Sequence, residues 1–352
     1  MMNQHLIAAL LLSSSVVLSK VYFEERFDYA EGSSEWQKKW IQPTNFGKTT
    51  EGEPIELGKF EITKGLFHAD PKINIGLKTT ENLHFYSATS KLSSTFNNKD
   101  KTLVFQFSVK NEQLLDCGGG YLKLLSADTD VKSFNGESPY FLMFGPDVCG
   151  SSRRVHCILS YKGKNYLIKK EINPPADKLT HLYTFILKPD QTYEILPDQK
   201  TAASGSLFDD WDFLPPQKIV DPSAKKPENW VDDEFIVDPD DKKPMGWDDI
   251  PEFVKDPDAT KPEEWDDEFD GTWTAPNIPN PDYKGEWAPR NIKNPEYKGP
   301  WIAPKIDNPE FKPDHHIYEM KNIGYVAFDL WQVTAGTIFD NILLTDNVEY
   351  AK

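Results

Sequence analysis

Apolar and polar residues alternate in short runs over much of the first two hundred positions. Leu103-Val104-Phe105-Gln106-Phe107-Ser108-Val109 is one such run, and 121–125, 140–144, 155–161 and 182–187 are others. A period of two marks strands that bury one face. Lys162-Gly163-Lys164-Asn165 reads as a hairpin turn between two of them. Far downstream, 323–331 and 337–345 carry the same strand pattern. Two strands cannot stand alone, so they must rejoin the first block. Closely spaced strands with turn signals between them predict a β-sandwich, interrupted by a long insertion.

The insertion, about 209–314, holds two families of repeats. The first runs from an Asp-Pro through a Lys-Pro to a Trp: Asp221-Pro222 to Trp230, Asp238-Pro239 to Trp247, and Asp256-Pro257 to Trp265. The second opens on Gly-x-Trp and closes on Asn-Pro: Gly271 to Lys284, Gly285 to Lys298, and Gly299 to Lys312. Proline every few residues forbids a long helix or a central strand. One Trp per repeat is the main apolar content, so each repeat must bury its Trp against a neighbour. The order AAABBB allows stacking of like on like. It also allows a hairpin folding back within 264–273, which sets the first A against the last B. A disordered acidic linker would have no use for Trp at fixed offsets.

Charge changes the picture of partners. The chain carries 39 Lys and Arg against 56 Asp and Glu, a net of −17. Within 209–314 there are 28 acids against 13 bases, a net of −15, so the remainder is close to neutral. A negative insertion disfavours nucleic acid and favours a basic protein or cations. The stretch 1–19, with its Leu6-to-Leu12 apolar run and small Val17 and Ser19, reads as a secretory leader. No other apolar stretch is long enough to span a bilayer, so no membrane span is expected. Gly118-Gly119-Gly120 precedes a strand and lacks the Lys-Ser/Thr of a phosphate loop. Asp238-Pro239-Asp240-Asp241 lacks the Gly and Glu of an EF-hand loop. The three cysteines form no C-x-x-C, which argues against a thiol oxidoreductase.

The two repeats, three of each, resemble the P-domain arm of the calreticulin/calnexin family of endoplasmic-reticulum lectin chaperones. So do Cys117-Gly118-Gly119-Gly120-Tyr121-Leu122-Lys123, Phe144-Gly145-Pro146-Asp147-Val148-Cys149, His181-Leu182-Tyr183, Asp209 to Pro216, and Asp329-Leu330-Trp331-Gln332. The resemblance implies a mainly β fold, a legume-lectin-like jelly-roll sandwich with an inserted Pro-rich β-hairpin arm. Its parts would be a leader at 1–19, sandwich at 20–207, arm at 208–314, and returning strands at 315–352. It implies a calcium-binding lectin chaperone of the endoplasmic-reticulum lumen, monomeric and not an enzyme. Such a protein binds monoglucosylated high-mannose glycoproteins and unfolded polypeptides.

The implied glucose-binding residues are Tyr121, Lys123, Tyr140, Asp147 and Asp329. Met143 and Ile158 match apolar contacts, Trp331 an aromatic beside Asp329, and His156 a family histidine read as structural. This set suits a sugar, which takes aromatic faces under its C–H patches and charged groups on its hydroxyls. Tyr121 and Lys123 lie two apart on one strand and point the same way. Tyr140 would start the next strand, with Asp147 in the turn after it. In an oxidising compartment Cys117 pairs with Cys149, worth roughly 3–4 kcal/mol in the chain-entropy model, and Cys157 stays buried and free. The family's Ca2+ site matches the Asp340 side chain and main-chain oxygens near Arg26, Ile62 and Lys64. Its arm tip, matched here by Glu268, Asp270 and Trp273, docks a protein-disulfide-isomerase relative. The sequence ends at Lys352 before the family's acidic tail and retention signal. A partial chain and a short, secreted member both stay open. Two other readings are a glycan-independent holdase, with Tyr121 and Tyr140 as mere sandwich aromatics, and a glycosidase using Asp147 and Asp329 as paired carboxylates.

Overall fold

A computed structural model describes residues 20–352; the leader expected at 1–19 lies outside the described residues. Backbone packing divides the described chain into two units, 20–216 with 309–352, and 217–308. The first unit is built from two antiparallel sheets of eight strands each. Sheet A runs Ala203–Ser206, Thr192–Pro197, Thr180–Leu187, Leu103–Asn111, Thr337–Thr345, Gly76–Thr79 and Phe60–Thr63, with Val21–Glu25 also on Thr337–Thr345. Sheet B runs Lys164–Leu167, Ser152–Tyr161, Leu142–Cys149, Cys117–Gly119, Ile323–Gln332, His84–Phe96 and Trp40–Ile41. Leu122–Ser126 also pairs with both Leu142–Cys149 and Ile323–Gln332. The two late strands are thus central in both sheets, which is the mainly β sandwich that the alternating pattern predicts.

Alternation explains the core. Leu103, Phe105, Phe107 and Val109 of one strand all enter the main hydrophobic cluster. Aromatic contacts tie the sheets together: Phe328 meets Phe339 at 4.9 Å, and Phe144 meets Phe185 at 5.6 Å. Such pairs add roughly 0.5–1.5 kcal/mol each beyond their buried area. The opposite face of Leu103–Asn111 is covered too. Val104 packs with Ile186 and Leu343 beneath the short helix Val348–Ala351, and Gln106 Nε2 donates to the Ala351 carbonyl.

The sandwich extends to Pro216 rather than to 207. Trp211 is 1% exposed and its indole donates to the Cys157 carbonyl, so this stretch belongs to the core. Cys157 is itself buried and free, its thiol pushed up by burial. Ser- and Thr-rich His84–Phe96, a strand of 13 residues, is not announced by the apolar pattern. Three of its small polar residues, Ser87, Thr89 and Ser90, are nonetheless fully buried, while Ser93 and Thr95 are exposed.

The second unit is a ladder of three two-stranded rungs. Lys218–Val220 pairs with Lys305–Asp307, Phe235–Val237 with Asn291–Lys293, and Phe253–Lys255 with Asn277–Pro279, all antiparallel. First A thus faces last B. Each A-repeat Trp spans its rung: the indoles of Trp230, Trp247 and Trp265 donate to the carbonyls of Gly299, Gly285 and Gly271. Those glycines sit at φ +91°, +82° and +79°, where a side chain is disfavoured, which is why each B repeat opens on Gly. The Lys of each Lys-Pro pairs with a later acid, as Lys226 does with Asp232 and Lys261 with Asp267.

Candidate functional site

The candidate sugar residues come together on sheet B. Tyr121 ends the break between Cys117–Gly119 and Leu122–Ser126, both of which pair with Leu142–Cys149. Gly145-Pro146 lies opposite that break, so the amide that proline lacks is not needed there. Asp147 therefore sits within the strand Leu142–Cys149, not in a turn after it, and Tyr140 lies just before that strand. Gly-Pro reads as a turn in sequence, but Gly145 adopts φ +133° and lets the strand continue. A Cβ there would strike the Tyr121 backbone at 2.7 Å, and one at Gly119 would strike the Tyr121 ring at 2.4 Å. Both glycines are space made for Tyr121. Cys117 and Cys149 stand opposite each other on paired strands and are joined by the expected disulfide.

Lys123 is held from two sides. Its Nζ donates to Asp329 Oδ2 at 2.6 Å and lies 4.8 Å from the centre of the Tyr140 ring. Both partners of the ion pair are nearly buried, with side chains 5% and 8% exposed. A buried pair needs good geometry to repay desolvation, and removal of either partner strands the other. Tyr121 faces both carboxylates. Burial pushes its phenol up, and the charges of Asp147 and Asp329 push it further. Tyr140 is likewise raised by burial and then by Asp329. Both phenols therefore stay protonated donors at neutral pH.

His156 Nε2 lies 3.0 Å from Asp147 Oδ2, and the rings of His156 and Tyr121 meet edge to face at 6.2 Å. The other ring nitrogen, Nδ1, is buried without a hydrogen-bond partner among the described residues. Met143 pairs in register with Lys123 on one side and Ile158 on the other, which flank the same strand. Trp331 packs on Phe85 at 4.7 Å, and Phe85 on Phe46 at 5.5 Å. Neither phenylalanine is marked by sequence pattern. Phe85 belongs to the Ser/Thr-rich strand, whose Ser87 stands directly opposite Asp329. The result is a face of aromatic surfaces, two carboxylates and one clamped ammonium, which suits a neutral polyhydroxyl ligand.

The candidate calcium residues lie on sheet A and the loops beside it. Asp340 is in Thr337–Thr345, Ile62 in Phe60–Thr63, and Arg26 and Lys64 just after strands. The side chains of Arg26 and Lys64 turn to Glu24 and Glu31, leaving only their main chains for an ion. Burial pushes the Asp340 carboxyl up to about 8, and Asp28 and Glu25 add to the push. Asp340 is half-buried and accepts only from its neighbour Asn341, and a carboxylate set beside other carboxylates is a setting that a hard cation relieves, so the donor set fits Ca2+. Among the described residues no three His, Cys, Asp or Glu side chains converge on one point, so main-chain oxygens would have to complete the shell.

At the far turn of the ladder, the Asp270 carboxylate accepts from the Asp266 amide at 3.1 Å, and Trp273 N donates to Asp267 at 3.3 Å. Glu268 is exposed, and Phe269 between the acids is 88% exposed. No helix among the described residues is long and apolar enough to cross a membrane.

A family model described as "Calreticulin family" matches residues 23–271 and 269–344. The chain is 55% identical to calreticulin of Caenorhabditis elegans over 343 residues, 97% of this chain and 84% of that one. It is 54% identical to calreticulin of Chlamydomonas reinhardtii over 349 residues, 98% of this chain and 80% of that one. Among solved structures it is similar to the globular domain of T. cruzi calreticulin, with a TM-score of 0.63 and 31% identity, covering 94% of this chain and 90% of the other.

Proposed function

The chain belongs to the calreticulin family, and from that premise we propose that it binds the terminal glucose of monoglucosylated high-mannose glycans on newly made glycoproteins. The family is one of lectin chaperones rather than enzymes. The observation that carries the reading is the gathering of Tyr121, Lys123, Tyr140, Asp147 and Asp329 on one sheet face, with Lys123 clamped by Asp329 and Tyr140. The aromatic rings take the C–H face of the sugar. The carboxylates accept from its hydroxyls, and the protonated phenols donate to its oxygens. His156 holds Asp147 in place. Because Lys123 already neutralises Asp329, the two carboxylates are not equivalent.

Calcium at Asp340 supports the sandwich from the other sheet, where it would offset the mutual repulsion of Asp340, Asp28 and Glu25. The acidic turn carrying Glu268, Asp270 and Trp273 recruits a basic oxidoreductase of the disulfide-isomerase type, within the endoplasmic-reticulum lumen. Titration of a monoglucosylated oligosaccharide into the Asp147→Ala and Tyr121→Phe variants tests the site. Loss of heat in both is expected; unchanged binding in both sinks the assignment. Charge reversal at Glu268 and Asp270 should weaken oxidoreductase binding and leave sugar binding intact; undiminished oxidoreductase binding would move the docking surface elsewhere.

A further inference from the structure

Ser87 carries a hydroxyl that is buried and has no hydrogen-bond partner among the described residues. Its neighbours Tyr86 and Ala88 enter the main core, so Ser87 between them turns to the opposite face of sheet B. Asp329 does the same between Phe328 and Leu330, and the two residues stand directly opposite each other. Directly opposed residues share a face, with Cβ atoms about 4.5–5.5 Å apart. Ser87 thus lies on the sugar face beside Asp329, yet it is 0% exposed, and Asp329 is 7% exposed. The next pair along the ladder on that face is Phe85 and Trp331, whose rings pack at 4.7 Å. On the other side Thr89 stands opposite Ala327 and donates to the Ile41 carbonyl at 3.3 Å. Enclosed between these pairs, Ser87 does not touch a ligand.

Among the described residues the Asp329 carboxylate accepts from Lys123 alone, on Oδ2. A nearly buried carboxylate oxygen without a donor and a fully buried hydroxyl without an acceptor therefore occupy opposed positions. Buried hydroxyls without a partner are uncommon and destabilising. Alanine would fill this place as well if packing were the only demand. One staggered step about χ1 re-aims the hydroxyl without moving the strand, and the cross-strand spacing is short enough for it to reach Asp329 Oδ1.

We propose that Ser87 is a positioning residue of the sugar site, whose hydroxyl turns to donate to Asp329 Oδ1 when a glycan covers that carboxylate. Lys123 on Oδ2 and Ser87 on Oδ1 then fix the carboxylate plane, and its remaining lone pairs aim at the sugar hydroxyls. The glycan drives the turn by excluding water, since an unjoined donor and acceptor cost more in a drier site and their bond is stronger there. The inference deepens the glucose-binding reading above and rests on it.

The test uses the full chain with calcium present. A monoglucosylated oligosaccharide is titrated calorimetrically into wild type, Ser87→Ala and Ser87→Thr, and the ligand-free proteins are melted in parallel. Ser87→Ala should lower the affinity roughly five- to ten-fold, the worth of one hydrogen bond. Its ligand-free melting temperature should stay level or rise, because the hydroxyl removed is unpaired in that state. Ser87→Thr restores the hydroxyl and should recover most of the affinity. If the added methyl lowers the melting temperature, Ser87→Cys takes its place; with a weaker donor in a similar volume it should bind between alanine and wild type. Wild-type affinity in Ser87→Ala overturns the proposal. So does a lower melting temperature with unchanged affinity, which makes Ser87 a packing residue, and so does failure of both the threonine and cysteine variants to bind better than alanine. Binding that Asp147→Ala abolishes and Ser87→Ala leaves untouched refutes this inference alone. No glycan binding by the folded wild type refutes the glucose-binding reading, and this inference with it.

Discussion

Glu112 gives the sharpest electrostatic prediction. Burial alone would raise its carboxyl, but Lys78, Lys110 and the amides of Phe67 and Leu66 outweigh burial and hold it down at about 2. A folded-state value below the unfolded one means stability that is present above the unfolded pKa and lost as pH falls through the folded one. With an unfolded value of about 4.3, the displacement is about two units, or at most ~3 kcal/mol at neutral pH. Glu112→Gln removes the charge while keeping the shape, and leaves Lys78 and Lys110 facing each other in a nearly dry site. Its cost at pH 7 should be about 3 kcal/mol, the lower end for breaking a buried ion pair. Calorimetric unfolding of wild type and variant, following the sandwich transition at pH 7, 4 and 2.5, checks it. The gap should be full at pH 7, still present near pH 4, and mostly closed by pH 2.5. A gap that does not change with pH would refute the argument, since the cost would then come from packing and not from charge.

Other outcomes follow from the same contacts. Asp329→Asn strands a buried Lys123 ammonium; the sandwich should lose about 3–5 kcal/mol in denaturant melts, and oligosaccharide binding should go with it. Trp247→Phe deletes the indole donor to Gly285. The ladder should weaken locally by about 1 kcal/mol, seen as faster amide exchange at Ile236 and Ile292 with the sandwich unaffected. Calcium should raise the melting temperature of the wild type and not that of Asp340→Ala; an equal shift in both would place the ion elsewhere. Reduction of the Cys117–Cys149 bridge, 32 residues apart, should cost the sandwich roughly 3–4 kcal/mol at constant pH.

Much of this architecture is legible in the amino-acid sequence. Strands with clean alternation, such as Leu103–Asn111 and Ile323–Gln332, announce themselves because one face must be apolar. The repeat order allows a hairpin of A against B as well as stacking of like on like, and the Trp at each fixed offset shows that every repeat needs a neighbour. What the sequence hides are places where a different constraint overrides pattern. His84–Phe96 reads as polar because small Ser87, Thr89 and Ser90 can be buried where an apolar residue would be expected, Ser87 directly opposite Asp329. Gly145-Pro146 reads as a turn, yet it continues a strand because its neighbour is broken at that level.

The most direct measurement is a calorimetric titration of the full chain, with calcium present, against a monoglucosylated high-mannose oligosaccharide and against the same glycan without its glucose. The account predicts heat with the glucosylated form only, abolished by Asp147→Ala. Equal binding of both glycans, or of neither by a folded protein, would contradict it.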